Sequence, residues 1–158
     1  MPPELEVRPI TATQTYPLRL QVLRPGRPAE SAIFAGDQDP QTHHFGVFLA
    51  DQLAGVASLY KSPLPETIAT ASEAGREAWQ LRGMAIDPSH QKSGLGKALL
   101  TALIEFATQQ PQSLLWCNAR SSAVEFYRRS NFQTRGEEFH IPDVGPHYIM
   151  VYTSASRE

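Results

Sequence analysis

The stretch from Leu81 to Ala107 constrains the fold more than any other part of the chain. It begins with a short apolar run, Leu81 to Ile86, which the turn-forming pair Asp87-Pro88 ends, and this predicts a strand followed by a turn. A glycine-rich segment comes next, and apolar residues then recur at three- and four-residue spacing, which predicts a helix with one buried face. Glycines at the start of a helix let a ligand approach the free backbone N–H groups, which attract anions. The stretch therefore predicts a site for a phosphate-like anion at the helix N-terminus.

Length and composition fit one globular domain that spans residues 1–158. A chain of 158 residues can bury a real core, and its net charge of −2 with no basic block argues against nucleic acid as a partner. Cys117 is the only cysteine, which excludes an internal disulfide and an all-cysteine metal site, and its apolar neighbours predict a buried thiol. We find neither a signal-peptide core at the start nor an apolar run of membrane-spanning length. We therefore expect a cytoplasmic protein with no membrane contact.

Outside that stretch, the apolar and polar patterns predict further helices and strands. The segment 11–23 should form a helix capped by Thr11 or Thr13, and the segment 122–130 a helix that begins with a capping box of Ser122 and Glu125. Asn131 suits the left-handed residue that follows such a helix. Surface loops are expected at 28–42 and 61–77, the second with a short helix at 73–78. Strands are expected at 5–10, 45–50, 55–60, 81–86, 113–117, 132–139 and 147–153.

Three phosphate-binding patterns compete for the segment 91–100, QKSGLGKALL. A P-loop would need glycine at position 91 and serine or threonine at position 98, where the chain has Gln91 and Ala98. A dinucleotide fingerprint would need glycine or alanine in place of Leu99. The third pattern, [Gln/Arg]-x-x-Gly-x-[Gly/Ala], is complete at 91–96. A glycine-eased turn into a core helix, with no ligand, is the alternative.

A second pattern follows about one helix and one strand later, as AVEFYRRSNF at 123–132. Together, the two patterns resemble the GNAT family of N-acetyltransferases, whose members carry the [Gln/Arg]-x-x-Gly-x-[Gly/Ala] loop and then Ala-x-x-Phe-Tyr-x-x-x-Gly-Phe. Asn131 replaces the usual glycine, and asparagine tolerates the left-handed conformation that this position needs. The motifs cover 81–132, and the order of the other predicted elements is similar to that of the family.

The resemblance implies an α/β (α+β) fold: a mixed, mostly antiparallel sheet of six or seven strands flanked by about four helices. It also implies that acetyl-CoA binds in a gap between two splayed central strands. The backbone of Met84, Ala85 and Ile86 would pair with the pantetheine arm, and Asn118 and Ser122 would lie near the pantetheine or the thioester. The residues implied to hold the pyrophosphate are Gln91, Lys92, Ser93, Gly94, Leu95 and Gly96.

Acetyl transfer needs an acid for the departing thiolate and a base for the attacking amine. Tyr127 matches the family's tyrosine and is our acid, with a purely structural core tyrosine as the alternative. His147, after a Gly-Pro turn, is our candidate base, although a structural role is also open to it. His140 lies on a terminal strand as well, and His90 abuts the phosphate loop.

The function that this resemblance implies is transfer of the acetyl group of acetyl-CoA to a small-molecule or peptide amine, by direct attack in a ternary complex. Two alternatives are a non-catalytic acyl-CoA sensor or interaction module on the same fold and an acyltransferase for longer chains. His43-His44 lacks a carboxylate or cysteine at ligand spacing, so we expect no metal. Arg24 and Arg27 could receive an anionic acceptor or form a solvated loop. The resemblance is compatible with a homodimer.

Overall fold

The computed structural model describes residues 4–91 and 93–153, in which seven strands form one sheet. The strands are β1 (Leu5–Ile10), β2 (His43–Leu49), β3 (Gln52–Lys61), β4 (Ala78–Ile86), β5 (Leu114–Arg120), β6 (Phe132–Ile141) and β7 (Gly145–Tyr152). Their hydrogen-bonded order is β1-β2-β3-β4-β5-β7-β6. β4 and β5 are parallel, whereas β1–β2, β2–β3, β5–β7 and β6–β7 are antiparallel. The predicted mixed, mostly antiparallel sheet is therefore confirmed.

Three α-helices lie in the described residues, one fewer than the four or so expected. They are α1 (Ala12–Leu18), α2 (Leu95–Ala107) and α3 (Val124–Arg128). A π-helical turn, Arg19–Leu23, continues α1, and 3-10 turns occur at Ala29–Ala32, Pro88–His90 and Ser121–Ala123. No helix in the described part of the chain is long and apolar enough to cross a membrane.

The chain divides into two compact units. Unit 1 consists of the described residues of Met1–Tyr60 and Arg82–Phe106. In it, the Thr11 side chain accepts from the Gln14 N–H, and the Gln14 side chain accepts from the Thr11 N–H at 2.8 Å, so a capping box begins α1 as the cap at Thr11 predicted. The turn between β2 and β3 places Ala50 and Asp51 at φ 51° and 67°. Two consecutive left-handed residues match the right-handed twist of a hairpin.

Unit 2 consists of the described residues of Lys61–Leu81 and Ala107–Glu158. The parallel pairing of β4 with β5 runs from Ala78↔Leu114 to Leu81↔Cys117. Asn131 has φ 74°, which confirms the left-handed residue predicted after α3. The carbonyl of Asn131 accepts from the Thr153 N–H at 2.8 Å, which ties the turn to the end of β7.

Two local predictions were wrong, and a third was incomplete. Residues 73–78 form no helix: the segment turns, Glu73 is drawn into an ion pair with Arg135, and β4 begins at Ala78. Ser122 does not cap a helix, because Ser121–Ala123 forms a 3-10 turn and Glu125 pairs with Arg128 instead. The loop at 28–42 is more than a surface loop, since it buries three side chains, those of Ala32, Phe34 and Asp37.

Candidate functional site

The C-terminal end of β4 carries Met84, Ala85 and Ile86 in unit 1. Ala85 is buried against Leu18 and Val56, whereas Met84 and Ile86 are half-buried. Gly83, immediately before them, has φ +71°. A Cβ at Gly83 would lie 3.2 Å from both Arg19 Nε and the Phe34 ring, so backbone conformation and space both call for glycine.

The segment after β4 is held by its own hydrogen bonds. The Asp87 N–H donates to the Ala54 carbonyl at 2.8 Å, and the Asp87 carboxylate accepts from the Ser89 N–H and hydroxyl at 3.0 and 2.9 Å. These bonds from Ser89 lower the pKa of Asp87. Gln91 Nε2 donates to the Ile86 carbonyl at 3.2 Å, and the Ser93 hydroxyl donates to the carbonyl of His90. The loop is therefore anchored to the end of β4 while Gln91 and Ser93 stay exposed.

Helix α2 begins immediately after Gly94, which has φ +86° and open space where a Cβ would be. The Ala98 N–H donates to the Gly94 carbonyl at 3.0 Å, at the start of α2. The backbone N–H groups of the turn before it therefore lie outside the hydrogen-bond ladder of the helix. The predicted buried face is confirmed at Leu95, Leu99 and Leu103, and Gly96 is half-buried. Lys92, also predicted to hold the pyrophosphate, lies outside the described residues.

Unit 2 holds the other predicted residues. Asn118 on β5 is exposed although its neighbours Cys117 and Ala119 are buried, and Ser122 is exposed in the 3-10 turn after β5. Cys117 is buried as predicted, and its burial raises the pKa of the thiol. The exposed side chains of Asn118 and Ser122 are thus available to a ligand.

Tyr127 is buried in α3. Its ring contacts the rings of Phe126 and Phe132, with centroid distances of 5.1 and 5.4 Å. Burial, together with the nearby Cys117, raises the pKa of the Tyr127 hydroxyl well above its usual range. Tyr127 therefore stays protonated at neutral pH, which suits a proton donor and equally a core tyrosine.

His147 on β7 is 4% exposed, and its Nδ1 lies 2.7 Å from the Gly145 carbonyl oxygen. A carbonyl only accepts, so Nδ1 carries the proton and Nε2 of the neutral ring is left with a free lone pair. His140 on β6 is exposed. Of these two histidines, His147 thus has a described contact that fixes the tautomer in which Nε2 could accept a proton.

The two histidines of the segment 43–44 take part in different contacts. His43 packs on Phe106, with ring centroids 4.5 Å apart, and His44 Nδ1 lies 2.6 Å from the hydroxyl of Ser58. Within 4–91 and 93–153, no three histidine, cysteine, aspartate or glutamate side chains cluster as metal ligands would.

A buried polar network in unit 1 was not predicted. Arg19 is 0% exposed and contacts the Asp37 carboxylate through two nitrogens, at 2.7 and 3.1 Å. Ser58 and Tyr60 accept from Arg19 Nη2 at 3.1 and 3.0 Å, and the Tyr60 hydroxyl donates to Asp37 at 2.5 Å. Burial, followed by the bond to Asp37, raises the pKa of Tyr60 to about 12. In the sequence, the members of this network appear only as single polar residues within apolar elements. Such scattered residues form no motif, so the network could not be recognised there.

The two arginines considered for an anionic acceptor differ. Arg27 is exposed. The guanidinium of Arg24 lies 5.3 Å from the centroid of the Phe34 ring. Arg24 is therefore part of the packed surface of unit 1 rather than of a solvated loop.

Comparison of the chain with known proteins identifies its family. The model of a family described as "Acetyltransferase (GNAT) family" matches residues 12–132. The "Uncharacterized N-acetyltransferase YitI" of Bacillus subtilis (strain 168) is 30% identical over 149 residues, which are 94% of this chain and 96% of that protein.

Two solved structures share the fold. The crystal structure of Escherichia coli ElaA has a TM-score of 0.74 at 16% identity, covering 95% of this chain and 100% of that one. Arabidopsis thaliana NAA60 in complex with acetyl-CoA has a TM-score of 0.72 at 14% identity, covering 94% and 98%. The chain belongs to the GNAT family of acetyltransferases.

Proposed function

We propose that the protein transfers the acetyl group of acetyl-CoA to a small-molecule or peptide amine by direct attack in a ternary complex. The complete Gln-x-x-Gly-x-Gly loop between β4 and the N-terminus of α2 is the observation that most supports this. Exposed backbone there meets the first turn of a 13-residue helix, which suits a pyrophosphate. The Arabidopsis NAA60 structure, which holds acetyl-CoA, supports the choice of this nucleotide.

The residues of unit 1 bind the nucleotide in this proposal. The backbone of Met84, Ala85 and Ile86 pairs with the pantetheine arm, and a backbone N–H of Met84 or Ala85 donates to the oxyanion. The segment 91–96 holds the pyrophosphate. In unit 2, Asn118 and Ser122 contact the pantetheine or the thioester.

Three proton transfers accompany the reaction. An alkylamine at pH 7 is about one part in a thousand neutral, so a base must take its first proton, and His147 Nε2 or a water is that base and passes the proton to solvent. The amine nitrogen then forms a bond to the thioester carbon, and the C–S bond breaks as the oxyanion collapses. Tyr127 donates its proton to the departing thiolate, whose thiol has a pKa of about 8.5 if it resembles cysteine. The nitrogen, now bonded to the acetyl group, loses its second proton, which returns to Tyr127 through water.

The proposal also includes a single GNAT domain over residues 1–158. The protein acts in the cytoplasm, as a monomer or as a homodimer. A non-catalytic acyl-CoA sensor and an acyltransferase for longer chains are the alternatives. Release of the CoA thiol from acetyl-CoA and from longer acyl-CoAs, measured with a panel of amines, separates the three. Thiol release that requires an amine and is fastest with acetyl-CoA supports the proposal. Tight binding of an acyl-CoA without turnover across the panel supports the non-catalytic sensor. Faster turnover of a longer acyl-CoA than of acetyl-CoA supports the acyltransferase for longer chains.

A further inference from the structure

Three guanidinium groups converge on one aromatic ring in unit 1. The guanidinium carbons of Arg19, Arg82 and Arg24 lie 4.0, 4.9 and 5.3 Å from the centroid of the Phe34 ring. Arg82 also lies 5.3 Å from the centroid of the Tyr60 ring. The ring faces attract cations, but three cations around one ring repel one another unless negative charge is close.

The carboxylate of Asp37, which contacts this cluster, is already engaged. Asp37 accepts from Arg19, from the Tyr60 hydroxyl and from the Phe34 N–H, the last at 2.8 Å. Burial opposes ionisation of Asp37, but these hydrogen bonds, led by Arg19, outweigh it and lower its pKa. Asp37 therefore neutralises Arg19 but forms no ion pair with Arg82.

Arg82 has no ion-pair partner among residues 4–91 and 93–153. Arg24 has partners of its own, including the Leu23 carbonyl at 3.1 Å, so Arg82 is the residue on which an anion site would depend. Arg82 is only half-buried, which leaves its planar fork of donors accessible.

A second donor in the cluster also lacks an acceptor. Arg19 Nε is buried without a hydrogen-bond partner in the described part of the chain. It faces the glycine that follows Arg82, at 3.2 Å from the position of a Cβ on Gly83. An unpaired buried donor is costly, and here it adds to the positive potential beside Arg82.

We propose that Arg82, flanked by Arg24 and the Phe34 ring, binds an oxyanion on the acceptor, so that the preferred acceptor is an amine carrying a carboxylate or a phosphate. This inference rests on the proposed function. Arg82 precedes Met84 by two residues on β4, so their Cα atoms are at most about 7 Å apart. The oxyanion is therefore separated from the reacting amine by a short chain.

Matched acceptor pairs test the proposal. Amino acids with one to five carbons between amine and carboxylate are each compared with their carboxamides, and aminoalkyl phosphates with the corresponding amino alcohols. We expect kcat/KM to favour the anionic member of at least one pair by about tenfold or more, as for other hydrogen bonds to charged groups. If the amino acids show the larger preference over their neutral counterparts, the site binds a carboxylate. If the aminoalkyl phosphates do, it binds a phosphate.

Variants assign the effect to Arg82. Arg82→Gln should abolish the preference for the anionic member while sparing turnover of the neutral one, and Arg82→Lys should restore part of it. Arg129→Gln, which removes an exposed arginine of unit 2, is the matched control and should keep the preference. Equal kcat/KM within every pair, or a preference that survives in Arg82→Gln, overturns the proposal.

A binding measurement separates this inference from the proposed function. N-acetyl derivatives of the same amino acids and aminoalkyl phosphates, with their neutral counterparts, are titrated in the presence of CoA while the Arg82 Nε–H NMR signal is followed. A shift caused by the anionic compounds alone, together with weaker calorimetric binding of those compounds to Arg82→Gln, supports the site even if no amine is acetylated, which would refute the transferase. Acetyl transfer with no such shift and no preference overturns the site and leaves the transferase intact.

Discussion

The guanidinium of Arg19 and the carboxylate of Asp37 form a two-point ion pair inside unit 1, with N···O distances of 2.7 and 3.1 Å. Their side chains are 0% and 1% exposed. Arg19 Nη1 also donates to the Ala32 carbonyl at 2.9 Å. The pair therefore fastens the π-helical turn after α1 to the loop at 28–42, from which Phe34 presents its ring.

Replacing Arg19 by methionine should destabilise the protein by about 3–5 kcal/mol, because it leaves the buried Asp37 carboxylate without its cation. The free energy of unfolding is measured by urea titration, followed through tryptophan fluorescence. The double variant Arg19→Met/Asp37→Leu should recover much of the loss, since no buried charge remains. Arg8→Met, at an exposed ion pair with Asp51, is the control and should change little. A similar, small loss in Arg19→Met and Arg8→Met would contradict the role given to the buried pair.

A second ion pair should make stability depend on acid pH. Arg135 contacts both oxygens of Glu73 at 2.7 Å in unit 2, and this bond is the main reason why the pKa of Glu73 falls to about 2. A carboxyl whose pKa is lowered by folding stabilises the protein above its unfolded pKa, and this stabilisation is lost as the pH falls through the folded value. We expect the contribution of Glu73 to disappear between about pH 4.5 and 2.

Glu73→Gln should thus lower the free energy of unfolding by about 1–2 kcal/mol at pH 7 and flatten its decline over that acid range. Urea titrations at a series of pH values measure both effects. Glu66→Gln, in the same loop but exposed, is the control and should keep the decline of the unchanged protein. Parallel pH curves for Glu73→Gln and the unchanged protein would rule out this contribution.

Sequence reasoning succeeded where local chemistry decides the structure. The spacing of Leu95, Leu99 and Leu103 predicted the buried face of α2, and Asn131 predicted the left-handed turn after α3. It failed where partners distant in sequence decide. Glu73 turns toward Arg135, 62 residues away, instead of starting a helix, and Arg19, in the π-helical turn that continues α1, pairs with Asp37, 18 residues away.

The candidate site divides in the same way. The loop at 91–96 could be proposed as a binding site from the sequence because the function proposed for it depends on exposed backbone and on glycine, and glycine is visible in the sequence. The role proposed for Arg82 was not predictable, because it depends on three cations meeting at Phe34, and Arg82 on β4 lies far along the chain from Arg19 and Arg24 at the π-helical turn. The spacing of Ser122 and Glu125 predicted a capping box at the start of a helix, but Ser122 lies within a 3-10 turn.

Tyr127→Phe should lower kcat by about 10²-fold or more if Tyr127 is the general acid, with little change in acetyl-CoA affinity. The hydroxyl is removed but the ring contacts with Phe126 and Phe132 remain, so the fold should persist. Thiol release measures kcat, and calorimetry measures the affinity. Tyr152→Phe, whose ring also contacts Phe132, is the matched control and should keep full turnover. Unchanged kcat in Tyr127→Phe would return Tyr127 to a structural role.

Gly94→Ala should weaken acetyl-CoA binding by about tenfold or more, because its φ of +86° needs glycine and its Cβ would enter the space that the pyrophosphate is proposed to fill. Gly75→Ala is the matched control: Gly75 has φ +81°, equally open surroundings and a place in an exposed turn of unit 2. Both variants should lose about 1 kcal/mol of stability from backbone strain. Only Gly94→Ala should lose affinity in calorimetric titrations with acetyl-CoA. Equal affinities in the two variants would mean that the loop at 91–96 turns the chain into α2 without holding the nucleotide.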